Sequence, residues 1–205
     1  MLRTIFCATI ALVLSSGNAR AGVPDPNSSS FDSILVYCPA GDVTYQGIVR
    51  YFSHTPYPGG ACFVDMRDCN GILLCPPLRS DTYWTSPVIK GVQTIGGYDG
   101  VVTLPLRAGG TCPEGSVNVT VDGVTMVTIT RIASPDQDGD GTVTSVDLAA
   151  IAARIGQPYP ASDLDGDGAV TTADVDFARQ HLGHTCEVAL DVRRSTWGEL
   201  KLLYR

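Results

Sequence analysis

Val117-Asn-Val-Thr-Val-Asp-Gly-Val-Thr-Met-Val-Thr-Ile129 reads as two short strands around a tight turn. Valines at 117, 119 and 121 alternate with polar residues, a period of two that places one set on each face of a sheet. Asp122-Gly123 supplies the turn, because this dipeptide accepts the left-handed backbone angles of a two-residue hairpin. The β-branched run from Val124 to Ile129 then provides the returning strand.

Toward the N-terminus the same pattern repeats. Val43, Tyr45, Gly47, Val49 and Tyr51 alternate with Thr44, Gln46, Ile48, Arg50 and Phe52, which predicts another strand with two distinct faces. Clusters such as Tyr57-Pro-Gly-Gly60, Cys75-Pro-Pro77, Gly96-Gly97 and Ala108-Gly-Gly110 punctuate the short apolar runs as turns do. About 100 residues with roughly seven such strands is the size of an immunoglobulin-like sandwich. The stretch from Gly100 to Gly110 also resembles segments of bacterial Ig-like repeats. The fold class expected for residues 22–132 is therefore an antiparallel Ig-like β-sandwich, followed by a small α module.

That module begins after Ala133-Ser-Pro135, where the composition changes abruptly. Asp136-Gln-Asp-Gly-Asp-Gly-Thr-Val-Thr-Ser-Val-Asp147 and Asp163-Leu-Asp-Gly-Asp-Gly-Ala-Val-Thr-Thr-Ala-Asp174 are a duplication offset by 27 residues. Hard oxygen ligands at positions 1, 3, 5, 7, 9 and 12 of a twelve-residue loop are what calcium takes. In the first loop these are Asp136, Asp138, Asp140, the Thr142 carbonyl, Thr144 and Asp147. In the second they are Asp163, Asp165, Asp167, the Ala169 carbonyl, Thr171 and Asp174. Gly141 and Gly168 occupy the sixth position, where the chain must turn sharply around the ion. Two calcium ions are expected, and magnesium fits less well because it demands a tighter octahedron. The apolar eighth positions, Val143 and Val170, are expected to pair with each other across the loops.

Each loop feeds an amphipathic helix: Leu148, Ile151, Ala152 and Ile155 lead to Gly156, and Val175, Ala178 and Leu182 lead to Gly183. Prolines 135, 158 and 160 precede the loops, so the entering helix of an EF-hand is missing, and position 12 is Asp where an EF-hand usually has Glu. In these respects residues 133–186 resemble the type I dockerins, whose paired loop-helix repeats use Asp at position 12. The resemblance implies a calcium-loaded module that binds a cohesin-type domain of another protein. By the same resemblance Ser145, Val146, Thr172 and Ala173, at loop positions 10 and 11, face that partner, although such residues also serve as helix caps. It implies an extracellular setting too, among components that degrade polysaccharide.

The remaining features bound the function. Arg3, the apolar run Ile5 to Leu14 and Ala19-Arg-Ala21 read as a secretory signal peptide over residues 1–21, and no stretch reaches the ~20 apolar residues of a membrane span. The chain carries 14 basic and 21 acidic residues with a net charge of −7. The acids crowd the two loops, and no basic stripe suggests nucleic acid as partner. After Cys7, six cysteines remain, an even number that suits disulfides in an exported protein. Cys69 and Cys75 are close enough to close a small loop. His54, His181 and His184 have no recognisable spacing to further ligands and read as surface residues. Tyr37, Tyr83, Trp84 and Tyr98 are candidates for stacking on sugar rings, so carbohydrate is a possible second partner of the sandwich. Asp65, Asp68, Asp81 and Asp99 form no recognisable catalytic motif, so no enzymatic activity is expected beyond that implied by association with glycoside hydrolases. Residues 187–205 turn basic and predict a short amphipathic helix starting at Thr196.

Overall fold

The β-branched and aromatic runs form strands because their stiff side chains pack well on a pleated, half-buried surface. In the computed structural model, which describes residues 22–76, 83–84 and 90–186, with Tyr83 and Trp84 described by backbone alone, the chain is mainly β with two helices. The strands are β1 (Ser30–Phe31), β2 (Ile34–Val36), β3 (Thr44–Ile48), β4 (Ala61–Asp65), β5 (Ile72–Leu74) and β6 (Tyr83–Trp84). They continue with β7 (Gly91–Ile95), β8 (Val101–Pro105), β9 (Ala108–Gly110), β10 (Val117–Val121), β11 (Val124–Ile129) and β12 (Arg131–Ala133). The helices are α1 (Ser145–Ala152) and α2 (Thr172–Gln180). The expected signal peptide, Asp81 and the expected tail helix lie outside the described residues.

A five-stranded sheet runs β11-β10-β4-β7-β6, and a three-stranded sheet runs β1-β3-β8. The expected hairpin is present: Val121 faces Val124, with Asp122 and Gly123 at φ 47° and 82°. The period of two holds in β3, since Tyr45 and Gly47 are buried while Thr44 and Gln46 are exposed, although the strand ends at Ile48 and does not continue to Phe52. Two short pairs complete the β region. β5 pairs antiparallel with β9, and β12 pairs parallel with β2, from Arg131 opposite Ile34 to Ala133 opposite Val36. The parallel pair departs from the all-antiparallel expectation. It arises because the chain leaves the sheet alongside its own start and continues straight into the first acidic loop, with Ala133 still in the strand.

Inward residues of the two larger sheets meet in one core, built around Tyr37, Val64, Met66, Val102, Leu104, Val119 and Ile129. A second, smaller core joins Ala133, Ile151, Leu164, Val170, Val175 and Ala178 between the helices, with Val36 of β2 packed against it. Both helices are shorter than their apolar periodicity suggested. The first stops at Ala152 and the second at Gln180, which leaves Ile155 and Leu182 exposed.

Candidate metal centres

The two acidic loops fold by the same set of local hydrogen bonds. In the first, Asp136 accepts from the amides of Gly139 (2.9 Å) and Gly141 (2.9 Å), Asp138 from Asp140 (3.1 Å) and Asp140 from Thr142 (2.8 Å). In the second, Asp163 accepts from Gly166 (2.8 Å) and Gly168 (3.0 Å), Asp165 from Asp167 (3.1 Å) and Asp167 from Ala169 (2.9 Å). Asp147 spans its loop by accepting from Gln137 and Thr144, and Asp174 does so from Leu164 and Thr171. Gly141 and Gly168 sit at φ 85° and 107°, angles that only glycine adopts without strain.

These bonds gather carboxylates. One oxygen from each of Asp136, Asp138 and Asp147 lies within 4.8 Å of the others, and Asp163, Asp165 and Asp174 repeat the arrangement. Asp136, Asp147, Asp163 and Asp174 are buried, whereas Asp138, Asp140, Asp165 and Asp167 are exposed. Asp140, Thr142, Thr144, Asp167, Ala169 and Thr171 stand on the same loops but outside these two triads. Donors that are all oxygen and partly withdrawn from water suit a hard divalent cation.

Like charges and burial strain the triads. The Asp136 carboxyl is pushed up to about 6, first by burial and then by Asp147 and Asp138, against the pull of the Gly139 and Gly141 amides. Asp165 is lowered by the Asp167 amide, but desolvation and the carboxylates of Asp174, Asp167 and Asp163 outweigh this and raise it above the ordinary range. A cation placed among these groups would relieve both.

Helix entry is handled by a neighbouring residue. Thr144 and Thr171 cap α1 and α2, accepting from the amides of Val146 and Ala173, and each forms a capping box with Asp147 or Asp174. Ser145, Val146, Thr172 and Ala173 are therefore first-turn residues, not caps, and all four are exposed. Val146 is 63 % accessible, an unusual position for a valine on a small domain.

The expected contact between Val143 and Val170 does not form. Val143 exchanges backbone hydrogen bonds with Gly183 and His184 (2.8 and 2.9 Å), and Val170 does so with Gly156 and Gln157 (2.8 and 2.9 Å). Each loop is thus clasped by the segment that follows the other loop's helix, and the two repeats are related by an approximate twofold exchange. The spacing of the glycines that end the helices carries this pairing, since Gly156 and Gly183 are offset by the same 27 residues as the loops.

Two further expectations change. Cys69 pairs with Cys112 and Cys75 with Cys186, so Cys69 and Cys75 do not close a local loop. Cys38 and Cys62 are buried free thiols. Burial pushes both thiols up to about 12. Tyr37 is fully buried and donates to the Gly110 carbonyl (3.1 Å), so it is unavailable to a sugar. Two of the histidines are not simple surface residues: His181 is buried, and His181 and His184 meet Cys38 and Asp42 in a third cluster whose ligand atoms lie within 4.8 Å of one another. Sequence spacing missed it because the two halves are far apart in the chain.

Comparisons with known proteins return nothing: no protein-family model, no curated protein and no solved structure matches the chain.

Proposed function

We propose that the chain is an exported calcium-binding assembly protein. Its duplicated loops hold two calcium ions, and its dockerin-like repeat docks a cohesin-type domain of another protein beside an Ig-like β-sandwich. The observation that carries this reading is the near-identical hydrogen-bond network of the two loops, each of which gathers three carboxylates around one point. Such a set is costly without a cation and fits calcium's preference for oxygen. Asp136, Asp138, Asp140, Asp147 and the Thr142 carbonyl would hold the first ion, with Thr144 completing the shell. Asp163, Asp165, Asp167, Asp174, the Ala169 carbonyl and Thr171 would hold the second. The ions would supply folding energy, not chemistry.

The exposed pairs Ser145-Val146 and Thr172-Ala173 support a docking role, because the twofold exchange presents them equivalently. Export is supported by the two disulfides; among the described residues no helix is long and apolar enough to cross a membrane. A second reading, carbohydrate binding by the β region, rests on Tyr98, which is 95 % exposed in the turn between β7 and β8.

The test is calorimetric titration with calcium, paired with thermal melting in calcium and in chelator. The reading expects two ions per chain, a higher Tm with calcium, and retention on an immobilised cohesin-type domain that chelator releases. Identical melting in both conditions removes the calcium assignment. Two bound ions without retention on any cohesin-type domain leave the loops as a structural clamp and remove the docking role. Retardation in polysaccharide gels, lost in Tyr98→Ala, distinguishes the second reading.

A further inference from the structure

We propose that Cys38, Asp42, His181 and His184 form a structural zinc-class metal site that fastens the β region to the end of α2. This inference is independent of the calcium reading: its ligands are different residues and its chemistry is softer.

Two tight turns bring the ligands together. In the first, the Gly41 amide donates to the Cys38 carbonyl (2.9 Å), which sets Cys38 and Asp42 on either side of a reversal. In the second, directly after α2, the His184 amide donates to the His181 carbonyl (3.0 Å). The turns face each other across the junction. Cys38 Sγ lies 3.5 Å from His184 Nδ1, and Asp42 Oδ2 lies 3.4 Å from both His184 Nδ1 and His181 Nε2.

These separations match a tetrahedral zinc shell. Bonds of about 2.0–2.2 Å to nitrogen and oxygen and about 2.3 Å to sulfur give edges of about 3.3–3.4 Å between N and O ligands and about 3.5–3.6 Å between S and N. A structural site uses four protein ligands, as here, whereas a catalytic site keeps one position open.

The surroundings prepare the ligands. His181 Nδ1 lies 2.8 Å from the Phe177 carbonyl; donating there fixes the tautomer that leaves Nε2 as a lone-pair donor aimed at the cluster. The His181 ring stacks on Phe177 at 4.6 Å and meets the His184 ring nearly edge-on, at 81°, so the two imidazoles converge without overlapping. Cys38 is fully buried and His181 is 8 % exposed, while Asp42 and His184 are partly open and give the ion a way in. A thiol and two imidazoles exclude calcium and magnesium, which take oxygen, and the hard carboxylate as fourth ligand favours zinc over copper. On binding, Cys38 gives up its S–H proton to solvent and ligates as thiolate, so one proton is released per ion.

The test is titration of the purified, calcium-saturated full chain with cobalt(II) as a spectroscopic probe, followed by displacement with zinc. One cobalt ion per chain is expected, with a thiolate-to-metal charge-transfer band and tetrahedral visible absorption that excess calcium leaves unchanged. Cys38→Ser should abolish the charge-transfer band. His184→Ala and Asp42→Asn, both at accessible positions, should weaken uptake by more than the roughly 100-fold that loss of an outer partner costs, with unchanged far-ultraviolet circular dichroism. Failure to take up cobalt overturns the site, as does a spectrum and affinity identical in all three variants. So does a thiol assay that finds Cys38 oxidised in the folded chain.

Discussion

The two acidic loops share sequence, hydrogen bonds and carboxylate triads, yet they live in different surroundings. The first is pressed against β9: the Gly110 amide donates to the Asp136 carbonyl (2.9 Å), and a Cβ at Gly109 would collide with the Asp136 carboxylate. Its Gly141 carbonyl also accepts from the amide of Cys186, which is bonded to Cys75. The second loop lies open at Gly168 and meets a cation instead, with Arg131 donating to Asp163 Oδ2 (2.7 Å). Local sequence sets the shape of each loop, and the β region sets the surroundings in which its carboxylates are held. Desolvation raises the Asp136 carboxyl of the first loop, whereas a guanidinium partly satisfies Asp163 of the second.

The largest test of this contrast removes the Cys75–Cys186 bond, which spans 111 residues. Cys75→Ser with Cys186→Ser should destabilise the chain by about 4 kcal/mol in urea unfolding. Calcium affinity should fall more at the first loop than at the second, measured in Asp165→Ala and Asp138→Ala backgrounds that leave one loop each. Equal losses would erase the proposed asymmetry.

Next comes pH. Burial pushes the Asp136 carboxyl of the ion-free folded chain up to about 6, above the roughly 3.9 of a free aspartate. The folded state therefore holds this proton more tightly, so the stabilisation is complete below about pH 4 and disappears as pH rises through 6. The loss is on the order of 3 kcal/mol. Asp136→Asn should flatten that portion of the stability profile, and saturating calcium should oppose the loss in the wild-type chain.

Gly109→Ala comes third, costing about 1–3 kcal/mol by overpacking against Asp136 and impairing the first loop alone. Gly168→Ala is its counterpart: the new methyl meets open space, and only the positive φ resists it, at about 1 kcal/mol. The smallest effect runs the other way. Arg131→Gln removes a cation beside Asp163, and calorimetry should find second-loop calcium affinity increased by about threefold.

What could be read directly from the chain was whatever depends on near neighbours. The Val117–Ile129 hairpin, the alternation in β3, the duplicated loops and the presence of a helix after each follow from spacing within a dozen residues. What could not be read depends on closure over long distances. The parallel register of β2 with β12, the Cys75–Cys186 pair and the meeting of Cys38 with His184 all join segments whose separation carries no periodic signal. The expected Val143–Val170 contact failed for a related reason. An apolar eighth position announces a short β contact, but its partner is chosen by where the helices end, and the glycines at 156 and 183 place those ends.

The parallel pairing of β2 with β12 also bears on how the chain reaches its native state. Ile34 finds Arg131 across about a hundred intervening residues, which gives the β region a high contact order and places its closure among slow folding events. β12 runs directly into Ser134 and Asp136, so the first loop acquires its buried setting only after that closure. On the proposed calcium reading, ion capture at the first loop would be a late step that retards unfolding far more than it hastens folding.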